Sequence, residues 1–288
     1  MLLGGILWGT MGLFVRPLSA LGLSSLQIAA MRFLAAGIIY AIILTITKPQ
    51  AWRIRVKDIP LFLALGIVSV AFFTACYFTS IQMMSLSSAA ILLYTSPIWV
   101  MLISLVVFKE KITREKVIAL VLAFCGCVLV SGFDGTVTLL GVIVGLGSGI
   151  GYALYSIFGT FALRRYESLT VTTYSMLIAG VATLVICDPV SLANIVSANT
   201  TDLLSSPAVI IAFVVAMGIV TAAAPYLLYT MGLNKTEPSR AAILATIEPI
   251  VATIIGIVIL GESFTALSCV GVACVLAAVF ILNIKRAQ

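Results

Sequence analysis

Apolar residues in this chain come in runs of roughly 18 to 25, separated by short polar stretches, from one end to the other. A helix rises about 1.5 Å per residue, so each run can cross about 30 Å of hydrocarbon. The runs predict membrane-spanning helices over residues 2–17, 25–47, 59–81, 87–108, 114–132, 138–163, 168–187, 207–231, 239–260 and 265–284. These ten spans consume most of the chain and leave no soluble domain of useful size. The expected fold class is therefore all-α, a polytopic membrane protein.

Two stretches of the pattern repeat each other. Ser87 to Thr113 reads SSAAILLYTSPIWVMLISLVVFKEKIT, and Ser239 to Thr265 reads SRAAILATIEPIVATIIGIVILGESFT. They align without a gap, pairing Ala89 with Ala241, Pro97 with Pro249, Glu110 with Glu262 and Thr113 with Thr265. Tyr77 likewise matches Tyr229, and Trp8 stands opposite Tyr152. The chain thus divides into two five-helix repeats, residues 1–133 and 134–288. Five is an odd number of crossings, so the halves are expected to be inverted relative to each other. Inverted repeats that rock about a shared midplane site are a common way to build a secondary transporter. Glycines at four-residue spacing, Gly5 and Gly9 in span one and Gly141, Gly145 and Gly149 in span six, line single helix faces. They suit close packing, and equally sliding against a neighbour.

Composition supports the membrane reading. Of 288 residues, 62% are hydrophobic and 9% charged, too apolar for a soluble domain. The net charge of +6 invites a nucleic-acid or lipid-surface reading, but its distribution points elsewhere. Lys48, Arg53, Arg55, Lys57, Lys109, Lys111, Arg114, Lys116, Arg164, Arg165, Lys235, Arg240, Lys285 and Arg286 fall in alternate loops and at the C-terminus. The intervening loops hold Asp134, Asp188, Asp202, Glu262 and, of the basic residues, only Arg16. By the positive-inside rule both termini are cytoplasmic, in a multi-pass protein of the cell inner membrane. Met1 opens almost directly into the first span with no evident cleavable signal peptide, which leaves a trimmed N-terminus open. Asn199-Thr200-Thr201 is a formal glycosylation sequon.

Only Arg32 and Glu248 are ionisable and well inside the spans. A charge at mid-membrane costs at least about 2.5–3.5 kcal/mol on insertion scales, so both are functional candidates. Glu248 stands directly before Pro249, and its repeat counterpart is Ser96 before Pro97. A helix-interior proline removes a donor and kinks the helix, exposing polar backbone toward a cavity. Beside such a kink a carboxylate can bind a substrate amine, carry a coupling proton, or hold the two halves in register. Arg32 is within snorkelling reach of the outer interface. It can clamp a substrate carboxylate bidentately or pair with a helix C-terminal carbonyl. Trp8, Tyr77, Tyr94, Tyr152, Tyr155, Tyr226 and Tyr229 are candidate cavity-lining aromatics, suited to small amphipathic solutes or to packing between helices. Glu110 and Glu262 read as capping or loop-pairing groups.

Other classes fare worse. The chain has no histidine, and its six cysteines (Cys76, Cys125, Cys127, Cys187, Cys269, Cys274) sit in or at the ends of apolar spans as small packing residues, so neither metal nor cofactor is expected. There is no His-Glu-x-x-His, no Gly-x-Ser-x-Gly and no phosphate-binding Gly-x-x-x-x-Gly-Lys-Ser/Thr, which disfavours a membrane enzyme and a primary pump. The expected partners are a small-molecule substrate, the lipid bilayer and protons, with no nucleic acid, for a monomer or homodimer.

Trp8-Gly9, the run Ala29 to Phe33, the two long repeats above and Leu260-Gly261-Glu262 together resemble the EamA repeat of the drug/metabolite transporter superfamily, over nearly the whole chain in two copies. Two features depart from that pattern: Phe108-Lys109-Glu110 in place of Leu-Gly-Glu, and Met176 where a second arginine could stand. The resemblance implies a ten-helix exporter of amino acids or similar metabolites working by alternating access. It also implies a central cavity lined by helices one to four and six to nine, with five and ten to one side. An exporter of organic cations or drugs, using Glu248 and the aromatics as a cation–π site, is the alternative.

Overall fold

The computed structural model describes residues 1–132, 137–198, 201, 203–259 and 265–284, with side chains to 282. Asp134, Asn199, Thr200, Asp202, Glu262, Lys285 and Arg286, all used in the sequence reading, lie outside the described residues.

In chain order the helices are α1 Leu2–Gly9, α2 Met11–Ala20, α3 Ser25–Thr47, α4 Ile59–Leu63, α5 Phe72–Met83, α6 Leu86–Leu93, α7 Ser96–Val107 and α8 Arg114–Ser131. They continue as α9 Leu139–Leu163, α10 Ser168–Ile186, α11 Pro189–Ala198, α12 Pro207–Met217, α13 Ala224–Leu233, α14 Pro238–Ala245, α15 Glu248–Val258 and α16 Ala266–Ile284. A π-helical stretch, Ala64–Ala71, joins α4 to α5, and another, Gly218–Ala223, joins α12 to α13. Short hydroxyl side chains start several helices. Ser24 and Gln27 form a reciprocal capping box at α3, while Thr113, Thr138 and Ser206 cap α8, α9 and α12.

Among the described residues, eight continuous helical stretches are long and apolar enough to cross a membrane: Leu2–Ala20, Ser25–Thr47, Val56–Met83, Leu86–Val107, Leu139–Leu163, Ser168–Ile186, Pro207–Leu233 and Pro238–Val258. The protein is a multi-pass membrane protein. The other two expected spans are also helices. Arg114, Glu115 and Lys116 load the first turn of α8 with charge, and the described apolar part of α16 is short. These two pack side by side, where Gly126 and Gly271 bring backbone against backbone: a Cβ at either would lie within 2.8 Å of the other's carbonyl oxygen. α11, in the loop before α12, was not expected from the sequence. Leu192, Ile195 and Val196 on it cover Leu18, Leu204 and Met217.

The exterior is apolar, with Ile42, Val106, Val121, Val185 and Phe280 exposed, as hydrocarbon contact requires. The interior holds an aromatic cluster. Phe33, Tyr40, Phe62 and Tyr229 are fully buried, with Met176 among them. Cys125 is exposed and Cys127 buried, so the pair faces two ways as expected, and the described cysteines are all free thiols.

Contacts between chain-distant loops sort the two ends of the bundle. At one end Lys48 pairs with Glu167, Arg165 with Asp58 at 2.8 Å, and Lys116 with both Glu110 and Glu237. This is the basic end. At the opposite end Ser80 donates to the Gly141 carbonyl and Thr138 to the Met83 carbonyl.

Candidate functional site

Both proline-marked helices are interrupted where the sequence places the kink. α6 stops at Leu93 and α7 begins at Ser96-Pro97; α14 stops at Ala245 and α15 begins at Glu248-Pro249. A proline has no N–H to give the carbonyl four residues back, so Leu93 and Ala245 lose that helical bond. Each break is braced by a glycine of another helix. A Cβ at Gly5 would lie 3.0 Å from the Ala245 carbonyl oxygen, and one at Gly149 would lie 2.8 Å from that of Leu92. The π-helical stretches also come as a pair, Ala64–Ala71 against α10 and Gly218–Ala223 against α3.

A cavity of about 380 Å³ opens between these elements, lined by Trp8, Met11, Arg32, Tyr77, Tyr94 and Glu248, among others. Its mouth is formed by Gly12 and Val15 of α2, Ser25 of α3, Leu86 and Ser87 of α6, and Val130 and Ser131 of α8. Those residues stand at the end of the bundle away from the basic loops. Deeper in, Phe73, Tyr152 and Tyr226 join the wall. The floor is aromatic. Trp8 packs edge-on to Tyr226 at 5.1 Å and to Tyr152 at 6.2 Å, and lies tilted against Tyr229 at 5.6 Å. Below it, Tyr155 bonds Thr230 at 2.8 Å and Tyr229 bonds Ser156 at 2.7 Å, closing the path.

Arg32 faces the cavity rather than the lipid interface, correcting the snorkelling expectation. Its side chain is 6% exposed, and its Nη1 donates to the Met11 sulfur. Its guanidinium lies 4.6 Å from the Phe33 ring centre, and its Nε is buried without a partner. No helix C-terminal carbonyl takes that donor. The Glu248 carboxylate is half-buried and has no hydrogen-bond or ion-pair partner among the described residues. It lies close enough to Arg32 for their charges to interact, although no ion pair joins them among the described residues. One unsatisfied cationic donor and one unsatisfied carboxylate therefore share one aromatic chamber, where each costs free energy until something pairs with it.

Ser96 does not join them. It is 3% exposed, packed inside the protein beside Pro97, and lines none of the cavity. Tyr155 and Tyr229 sit beneath the chamber, spent on Thr230 and Ser156. The lateral placement of the fifth helix also needs amending, since Val130 and Ser131 of α8 shape the mouth while α10 contributes nothing to the chamber. Met11, Phe73 and Phe78 line it and were missed. Met11 and Gly12 follow Trp8 by three and four positions, the spacing of one helix face, which is the signal that could have found Met11.

The profile of the EamA-like transporter family matches residues 1–132 and again 139–284. A transporter of Archaeoglobus fulgidus, itself uncharacterised, is 28% identical over 264 residues, covering 92% of this chain and 90% of its own. The uncharacterised transporter YetK of Bacillus subtilis is 25% identical, covering 90% and 78%. Among solved structures, one protein superposes with a TM-score of 0.79 over 99% of this chain and 96% of its own, at 16% identity, a likeness of fold.

Proposed function

This chain belongs to the EamA-like transporter family, and from that premise we propose that it is a secondary exporter of amino acids or similar small zwitterions, working by alternating access and coupled to protons through Glu248. The observation that carries the reading is the unpartnered Nε of Arg32 and the unpartnered carboxylate of Glu248 in one chamber, among the described residues. A guanidinium suits a substrate carboxylate and a carboxylate suits its amine, while Trp8, Tyr77 and Tyr94 suit the apolar remainder. The volume falls within the range of roughly 300–1,000 Å³ usual for small-molecule sites. When the chamber is empty, Glu248 can hold a proton and release it as a substrate ammonium arrives, which is the exchange that coupling needs.

Ten spans in two inverted repeats, residues 1–133 and 134–288, are part of the same reading. Support comes from the matched breaks before Pro97 and Pro249 and from the matched π-helical stretches. The charge bias puts the basic end and both termini in the cytoplasm of a cell whose inner membrane holds the protein. The chamber then opens outward. A second reading rests on the aromatics around Glu248: with Arg32 engaged by Met11 and Phe33, the chamber would serve an organic cation.

The test is pH-gradient-driven uptake of an amino-acid panel, and separately of a cation panel, into proteoliposomes, with wild type beside Glu248→Gln. We expect gradient-driven movement of at least one amino acid by wild type and a loss of at least about tenfold in the variant. Full activity of Glu248→Gln with an unchanged pH profile would sink the role of that carboxylate. Movement of cations alone would transfer the site to the second reading.

A further inference from the structure

The basic end is closed by a network that joins residues far apart in the chain. Lys116 Nζ lies 2.7 Å from Glu110 Oε1, 2.8 Å from Glu237 Oε2 and 2.9 Å from the Lys111 carbonyl oxygen. Ser239 Oγ also donates to Glu110 Oε1. Lys116, Glu110 and Ser239 are buried, at 6%, 9% and 0% exposure, and the second Glu110 oxygen is buried without a partner. Glu110 and Lys116 flank the α7–α8 turn, whereas Glu237 and Ser239 stand at the start of α14. A path opened between α7 and α14 at this end must break the network.

The repeat register supplies the comparison at the mouth. Continuing the gapless alignment, Ser85 stands where the second half has Glu237, Ser87 where it has Ser239, and Ser268 where the second half answers Lys116. Local structure keeps this register. Thr113 caps the Lys116 amide as Thr265 caps that of Ser268, and α6 and α14 begin directly after Ser85 and Glu237. The mouth thus carries hydroxyls where the basic end carries a lysine and a carboxylate. Ser87 lines the open mouth while its counterpart Ser239 is sealed against Glu110.

We infer that the Glu110–Lys116–Glu237–Ser239 network is a latch holding the basic end shut, and that the replacement of Lys116 and Glu237 by Ser268 and Ser85 at the equivalent positions of the mouth, which leaves the counterpart of Glu110 without its lysine, sets the mouth-open form as the resting state. The inference rests on the alternating-access reading above. Taking one partner from a buried ion pair costs far more than the intact pair contributes, which suits a switch better than a stabiliser. In this protein the latch couples the two halves. Its release has to be driven by whatever closes the mouth.

The experiment uses spin labels in nanodiscs, in a chain whose six cysteines are replaced by alanine or serine. One label pair at Lys111 and Asn234, both exposed, spans the basic end; a second at Leu86 and Ala266, both exposed, spans the mouth side. In Lys116→Met we expect the long-distance fraction at the basic end to rise at least about tenfold, with a matching shift to shorter distances at the mouth. The reciprocal variant Ser85→Glu/Ser268→Lys builds the charges at the mouth and should shorten the distance there with every latch residue left in place. That variant answers the question even if Lys116→Met fails to fold. Opening at the basic end with no response at the mouth would be local fraying and would overturn the latch. So would unchanged distances in both variants. If the distances move as expected but no panel solute is carried, the latch stands and the substrate reading fails; if solutes are carried and the distances do not move, the latch alone fails.

Discussion

At Tyr94–Pro97 and again at Thr246–Pro249 the chain makes the same interruption, yet the two sites hold opposite contents. Each is a short helix, a turn, a proline near the start of the next helix, and a bracing glycine from another span. Thr95 and Thr246 each return a hydroxyl to a carbonyl three residues back at 2.6 Å, but in the first break Ser96 is packed away from the chamber. In the second, Glu248 turns an unpaired carboxylate into it. Arg32 and Met176 differ in the same manner, one lining the chamber and the other buried in the core. The backbone has kept its duplication and the side chains have left it. A rocking carrier needs matched hinges, but only one set of charges has to meet the solute.

The exchange Ser96→Glu/Glu248→Ser presses hardest on that contrast. Because position 96 faces packed protein, the moved carboxylate should not restore the site, and transport in proteoliposomes should fall at least about tenfold, as in Glu248→Gln. Recovery of transport would mean that the breaks are interchangeable. Gly5→Val and Gly149→Val ask whether the hinges are matched. Each adds carbon against a carbonyl that has no room for it, and each should lower stability by about 1–3 kcal/mol, read as thermal unfolding in detergent. A large loss in one with none in the other would separate the hinges. The mildest change is Arg32→Lys, which keeps the charge and gives up the bidentate fork. An increase of about tenfold in the half-saturating concentration of a zwitterion is expected, with none for a cation.

Much of this was legible beforehand, and the physics says which parts. Hydrocarbon thickness sets run length, so α3, α9 and α10 could be read within a residue or two. Proline chemistry marked both breaks. The cost of intramembrane charge singled out Arg32 and Glu248, which the fold brings to one chamber. Rotation about a helix axis is different, because an all-apolar span looks alike from every side. That is why Ser96 could not be told from a lining residue, and why the sequence left Arg32 between a substrate clamp and a helix-end pairing without pointing to Met11. The latch escaped notice for a related reason. Reading Glu110 as a capping or loop-pairing group covers its local pair with Lys116, but its bond from Ser239 depends on packing between the halves.

The π-helical stretches have a consequence for how the chamber can change over time. An α-helix turns about 100° per residue, and a π-helical stretch sets whatever follows it out of phase with what precedes it. Tyr77 follows Ala64–Ala71, and Tyr226 and Tyr229 follow Gly218–Ala223, so the phase of the wall is fixed upstream of the wall itself. Return of Ala64–Ala71 to α-helical turns, with no residue added or lost, would turn Phe72–Met83 about its axis, taking Tyr77 off the chamber and presenting a different row of side chains. The choice between π and α turns at these two places is thus a dial on the chamber, able to recompose one side of it in a single step with every codon left as it was.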